Sequence, residues 1–294
     1  MLRFYTLPPA RIPYPFILVN ANRPEPGLRY VIKNKKAIKG VLIDSGVEIF
    51  RDPTRKDYPP GWLNKLVRLY YRVKYYLPGA DIVVTIPDYP DDYNPGSLWL
   101  PGKTNIERTF ENILYCIENY NNVNWLIPIQ GHNKNPNSIK IMINYLREAG
   151  ITKKFKKYAI ANLCVEKKDR IIIHTLRIAR EELGDVWIHA FGIKKRQAIK
   201  AAKYKLINSF DSTAWTRPDS LTSKLMRELG IKKRFSCKNE RQRRIYFLAW
   251  LVSLSRKVVL ENINVRKYEA MLENEIYELK RKALEKYRNT LKLF

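Results

Sequence analysis

With 294 residues, 45% of them hydrophobic, the chain can bury a full core, either as one large α/β domain or as a main domain with a small appendage. Its 55 lysines and arginines outweigh 28 aspartates and glutamates, a formal net charge of +27 with a pI near 9.9. That balance points to a polyanionic partner, and the 19 tyrosines, 10 phenylalanines and 6 tryptophans add base stacking to phosphate neutralisation, favouring nucleic acid over a membrane surface.

Met1 to Pro9 lacks the apolar core and cleavage pattern of a signal peptide, so a cytoplasmic location is the expectation. No run of about 20 apolar residues follows, which excludes a spanning helix. Phe4 to Leu7 reads as a first strand. Short apolar runs rich in β-branched residues then recur at 16–19, 40–43, 81–86, 125–129, 158–161, 186–191 and 206–210. Between the later ones, 105–119, 138–149, 170–183 and 195–203 carry apolar residues at helical spacing. This βα alternation predicts a parallel sheet. The strand count is that of a (β/α)8 TIM-like barrel, and no G-x-G-x-x-G turn supports the doubly wound alternative. The barrel domain is assigned to 1–221. From 222 to 294 the pattern is helical, with long helices expected over 242–259 and 265–293. Lys232, Lys233, Arg234, Arg241, Arg243 and Arg244 make this region basic and are the candidates for phosphate contact. Farther on, Glu273, Glu275, Glu278 and Glu285 mix with lysines as on a solvated helix face.

In a barrel, residues at the C-terminal ends of different strands converge on one face. Asp44, Asp88, Gln130, Asn162, Phe191 and Asp211 all sit at such ends. Two of them stand out: Val41 to Gly46 and Asn208 to Pro218 each end an apolar run on an aspartate, the second followed by Arg217. Either aspartate alone reads as a loop residue capping the next helix; the pair suggests a shared site. His132, His174 and His189 read as structural. Cys116 and Cys164 read as small buried hydrophobes, and the odd, widely separated cysteines fit neither a disulfide framework nor a zinc site with paired ligands.

Taken in order, Asp44-Ser45-Gly46, Ile129-Gln130-Gly131, Tyr158 to Leu163, His189 to Ile193 and Phe210-Asp211-Ser212 with Thr216-Arg217 resemble the motifs of the tRNA-guanine transglycosylase superfamily, over roughly residues 14 to 218. The resemblance implies a barrel enzyme that exchanges a guanine in a polynucleotide for a 7-deazaguanine such as the 7-cyano form. One branch, the DpdA type, acts on DNA. Residue by residue, the resemblance makes Asp211 the nucleophile and Asp44 the general acid/base, with Asp88 and Gln130 reading the base edge. It puts the backbone of Asn162 and Leu163 against the exchanged base and Phe191 on its flat face. Glu48 stands where the family often has an aromatic, so Phe50 is expected to supply that ring, with Tyr89 beside it. Two departures favour DNA over tRNA: the family's three closely spaced cysteines and histidine have no counterpart, since only Cys237 lies in that region, and the extra RNA-binding module of archaeal tRNA enzymes is missing. Neither step of the exchange requires a metal or cofactor. A non-catalytic nucleic-acid-binding subunit is the alternative from another class, and the presence of both aspartates argues against it.

Overall fold

The computed structural model describes residues 1–231 and 239–291. Lys232, Lys233, Arg234 and Cys237 therefore lie outside the described residues. The chain divides into two compact units, one of Met1–Pro8 with Pro13–Ser212, the other of Pro9–Ile12 with the chain from Thr213 onward.

The first unit is an α/β barrel. Its strands are β1 (Arg3–Tyr5), β2 (Phe16–Asn20), β3 (Gly40–Asp44), β4 (Asp81–Thr85), β5 (Trp125–Ile129), β6 (Lys157–Ile160), β7 (Trp187–Ala190) and β8 (Ser209–Asp211). All neighbours pair in parallel in the order β1-β8-β7-β6-β5-β4-β3-β2. Thr6 closes the ring between β1 and β2: its N–H donates to the Phe16 carbonyl at 3.3 Å, and its own carbonyl accepts from the Leu18 N–H at 2.8 Å. The strands read as continuous apolar runs because helices cover their outer face while the interior is filled by side chains.

Seven helices of this unit lie on the connections: α1 (Pro24–Lys33), α2 (Trp62–Tyr76), α3 (Asn105–Asn119), α4 (Ile139–Glu148), the short α5 (Ile151–Lys154), α6 (Asp169–Leu183) and α7 (Lys195–Lys203). Local chemistry sets their starts. Pro24 opens α1 at a position where its missing N–H costs nothing, and Thr104 with Glu107 forms a reciprocal capping box on α3. Neither α1 nor α2 is among the helices expected from the sequence. Pro24-Glu25-Pro26-Gly27 carries the composition of a turn, and α2 spends eight of its positions on tyrosine, arginine and lysine, at 65, 68, 70, 71, 72, 74, 75 and 76, so its buried stripe of Trp62, Leu66, Leu69, Tyr70 and Val73 stands among polar and aromatic residues. At the end where the strands begin, Asp81 accepts from Arg3 at 2.6 Å and from Lys157 at 2.9 Å, tying the starts of β1, β4 and β6 together.

The second unit holds α8 (Ser220–Glu228), α9 (Glu240–Ser255) and α10 (Val265–Leu291), with no strand among its described residues. Ten consecutive residues of α9, Ile245 to Leu254, are buried, and the helix packs against α8, α10 and the turn at Ala214–Thr216. A helix covered on all sides needs no apolar stripe, and this one has none. No helix among the described residues is long and apolar enough to cross a membrane.

Candidate active site

The strand ends of β3 to β8 assemble a polar constellation at one end of the barrel. Asp211, the last residue of β8, is held from two sides through a single oxygen. Its Oδ1 accepts the Gly192 N–H at 2.9 Å and faces His189 Nε2 at 3.1 Å. A carboxylate only accepts, so Nε2 donates to Asp211, and Nδ1 pairs with the Ser209 hydroxyl at 2.8 Å. His189 has no exposed surface and is boxed in by Tyr5, Trp187 and Phe191, the last an edge-to-face contact at 4.8 Å. The ring is thus fixed in place from both nitrogens, and its hydrogen bond orients the carboxylate.

The sequence alone gives His189 no role beyond a structural one, and the structure assigns it the positioning of Asp211. The signal was strand alternation. His189 and Ser209 are register partners on adjacent strands, so Asp211, two residues beyond Ser209, lies on the same face as both.

Asp44 ends β3. It accepts from the Gly46 N–H at 3.2 Å and from Asn20 Nδ2 at 3.4 Å, and Asn20 also reaches Glu48 at 3.3 Å. Burial pushes its carboxyl up to about 7; the Gly46 N–H opposes this, while the charges of Asp211, Asp88 and Glu48 add to it. That puts Asp44 where a carboxyl shared by acid and base roles is most useful near neutral pH. β3, β4 and β8 run parallel in one barrel, so these carboxylates at or just past their ends open on the same mouth.

Asp88, just past β4, is buried with only 4% exposure. Its Oδ1 accepts from Ser45 Oγ at 2.9 Å and its Oδ2 from Gln130 Nε2 at 2.5 Å. Burial raises this carboxyl to about 6 against the pull of those two hydrogen bonds, and the Asp92 charge adds to the rise. With its amide nitrogen committed to Asp88, Gln130 leaves Oε1 buried and without a partner. An unmet buried acceptor costs about 1–3 kcal/mol, which a donor on a ligand would recover.

Asn162 stands at φ +58°, in the left-handed region where glycine is at home and asparagine is the best tolerated substitute. Its amide donates to the Gly131 carbonyl, and its Oδ1 accepts from the Asp91 N–H at 3.4 Å. The side chain therefore ties the loops after β4, β5 and β6 together. Leu163 beside it is 2% exposed. Phe191 is half-buried.

Three expectations are corrected. Phe50 is 1% exposed and sits in an aromatic cluster, edge-on to Tyr58 at 4.9 Å and tilted against Tyr89 at 5.7 Å. Tyr89 is covered as well, its hydroxyl donating to Asp57 at 2.6 Å and its ring lying under Arg108. Both rings belong to the core, Phe50 because the turn Val47–Arg51 folds it inward against Tyr89, and of the three rings named for a base slot only that of Phe191 belongs to a residue that is not fully buried. Cys164 is exposed rather than buried, since it lies in the loop after β6, whereas Cys116 on α3 is buried.

Two carboxylates that no sequence motif singles out also sit at this end. Asp91 accepts from the N–H groups of Gly96 at 2.7 Å and Asn133 at 2.8 Å. Asp92 accepts from the backbone of Val165 and Cys164, yet burial still raises it to about 6. Both pin loops around the mouth. Among the described residues no group of three or more histidine, cysteine, aspartate or glutamate side chains is placed to hold a metal ion. Compared with models of known families and with curated proteins, the chain finds no match in either.

The other basic candidates fall in the second unit. Arg217 is exposed just after the Ala214–Thr216 turn. Arg244 makes a two-pronged ion pair with Glu275 at 2.7 and 3.1 Å, and Arg241 reaches the same carboxylate at 3.3 Å. Arg243 is exposed.

Proposed function

We propose that this chain is a guanine transglycosylase that exchanges a guanine in DNA for a 7-deazaguanine through a covalent glycosyl-aspartate. The observation that carries the reading is the pairing of a fixed carboxylate, Asp211, with a second carboxylate, Asp44, whose proton is held to about 7. Retaining exchange at an anomeric carbon needs those two roles and no others.

In the first half, Asp211 attacks C1′ of the target nucleotide, the C1′–N9 bond breaks with its electron pair on the purine, and Asp44 gives that purine a proton. In the second half the arriving base yields its N9 proton to Asp44, N9 attacks C1′, and the ester to Asp211 opens. Atoms and charge balance, and Asp44 ends as it began. His189 and the Gly192 N–H hold one oxygen of Asp211, which leaves the other to form the bond. Ionised Asp88 accepts from the N–H groups on the guanine edge, and the vacant Oε1 of Gln130 supplies a second acceptor there. The half-buried Phe191 is the ring that would stack on a base taken out of its helix.

The test is mass spectrometry of a denaturation-resistant adduct after mixing the protein with guanine-containing DNA, with tRNA run beside it. An adduct mapping to Asp211 and lost in Asp211→Asn is expected with DNA. An adduct on tRNA alone would reassign the polymer. Full base exchange in Asp211→Asn would remove the mechanism.

A further inference from the structure

We propose that the groove between α1 and α2 seats the sugar-phosphate backbone of the polynucleotide, an inference that rests on the base-exchange reading above. The groove has a volume of about 380 Å³ and is lined by Leu28 of α1 and by Asn64, Lys65, Arg68, Leu69 and Arg72 of α2. Leu28 and Leu69 are buried, at 1% and 6% exposure, so the floor is apolar and the wall cationic. Lys65, Arg68 and Arg72 stand at i, i+3 and i+7, on one face of the helix, where like charges repel unless an anion lies among them.

Internal partners do not absorb these charges. Arg72 has Glu25 at 3.7 Å, an exposed pair of little strength, and Lys65 rests on the Trp62 ring at 4.3 Å. Arg68 is exposed and makes no ion pair among the described residues. Arg241 and Arg244 of the second unit, by contrast, are both engaged with Glu275.

The location suits a polymer that enters the site. Helices of a parallel barrel start at the end where strands finish, so Pro24 and Gly61 stand on the same rim as the strand-end carboxylates. Trp62 is the first residue of α2; its Nε1 donates to the Ser45 carbonyl at 2.8 Å, and its ring lies where a Cβ on Gly46 would fall, 2.8 Å from Cζ2. Lys65 is therefore one ring away from the Asp44-Ser45-Gly46 turn. From Lys65 to Arg72 the helix advances about 10 Å, the rise of about three phosphates of one strand at roughly 3.4 Å each. A single small anion would engage only part of that row.

The experiment measures binding in an Asp211→Asn background, so that turnover does not intervene. A labelled DNA duplex, and in parallel a tRNA, is titrated by fluorescence anisotropy from about 50 to about 200 mM salt. Replacing Lys65, Arg68 and Arg72 together by alanine is expected to weaken binding to all sequences alike and to flatten the log–log salt slope by about two to three. The charge-keeping combination Lys65→Arg, Arg68→Lys and Arg72→Lys should retain the slope. Each single alanine variant should lower the slope by about one, which keeps the test usable if the triple variant folds poorly. An unchanged slope and affinity in the triple alanine variant would overturn the proposal. So would wild-type binding, through these residues, to phosphatidylserine vesicles and not to DNA or tRNA. A wild type that binds through the groove but forms no adduct supports the groove while removing the base-exchange reading.

Discussion

Replacing Asp44 with asparagine should stabilise the protein, and by an amount that grows with pH. The unfolded chain releases this proton near 3.8 and the folded chain near 7. The stability contributed by the group is fully present below 3.8 and is lost as pH rises through about 7. Between pH 5 and pH 7 the unfolded chain has already ionised while the folded one still holds its proton, so each pH unit costs the wild type about 1.4 kcal/mol. The amide of the variant has no such proton to lose. Partial solvation of a half-buried carboxyl trims the full figure, and the advantage of Asp44→Asn over wild type is expected to increase by about 1–2 kcal/mol across that window. Urea denaturation followed by tryptophan fluorescence at pH 5, 6, 7 and 8 measures it. Because the comparison is between two pH values of the same pair, any constant effect of the amide cancels. Parallel stability curves for the two proteins would refute the assignment of a raised, half-buried carboxyl at this position.

His189→Phe keeps a flat ring among Tyr5, Trp187 and Phe191 but removes the hydrogen bond to Asp211. Adduct formation should slow about 10–100-fold, the worth of a hydrogen bond to a charged group, with the loss in kcat rather than KM; a change confined to KM would argue against a positioning role. Gly192→Ala would set a Cβ 2.6 Å from Cys164 Sγ at φ +61°, and a stability loss of about 1–3 kcal/mol together with slowed adduct formation is expected, so wild-type values for both would show that the turn takes a side chain without displacing the N–H that holds Asp211. Arg244→Ala breaks the pair with Glu275 and should lower the stability of the helical unit by about 1 kcal/mol while leaving the salt slope of DNA binding unchanged; a flatter slope would return Arg244 to the phosphate track.

The barrel was legible because parallel strands buried on both faces announce themselves as short β-branched runs, and β2, β3 and β5 begin where those runs begin. The apolar run leading to β8 covers 206–210, but Leu206 and Ile207 lie in the approach, and pairing with β1 starts only at Ser209. Strand-end logic located the carboxylates at 44, 88 and 211 without any coordinates. Contacts that depend on register across strands, such as His189 with Asp211, or on how a loop folds back, such as Phe50 into its aromatic cluster, leave no periodic trace in one sequence. The ion pairs of Arg241 and Arg244 were hidden for a similar reason: Glu275 lies on another helix, 31 residues beyond Arg244.

Closure of the ring through Thr6 has a consequence for synthesis. The first strand made pairs with the last, so β2 to β7 can zip in order, with β1 held to β2 only through Thr6, while the other edge of β1 waits for residues 209–211 to leave the ribosome. Until then the nascent sheet exposes two unpaired edges, the feature that invites pairing between chains. The carboxylate proposed as nucleophile arrives on the segment that ends this exposure, so completing the barrel and arming it are one event. A chain cut short before Asp211 would be left open-edged as well as inert.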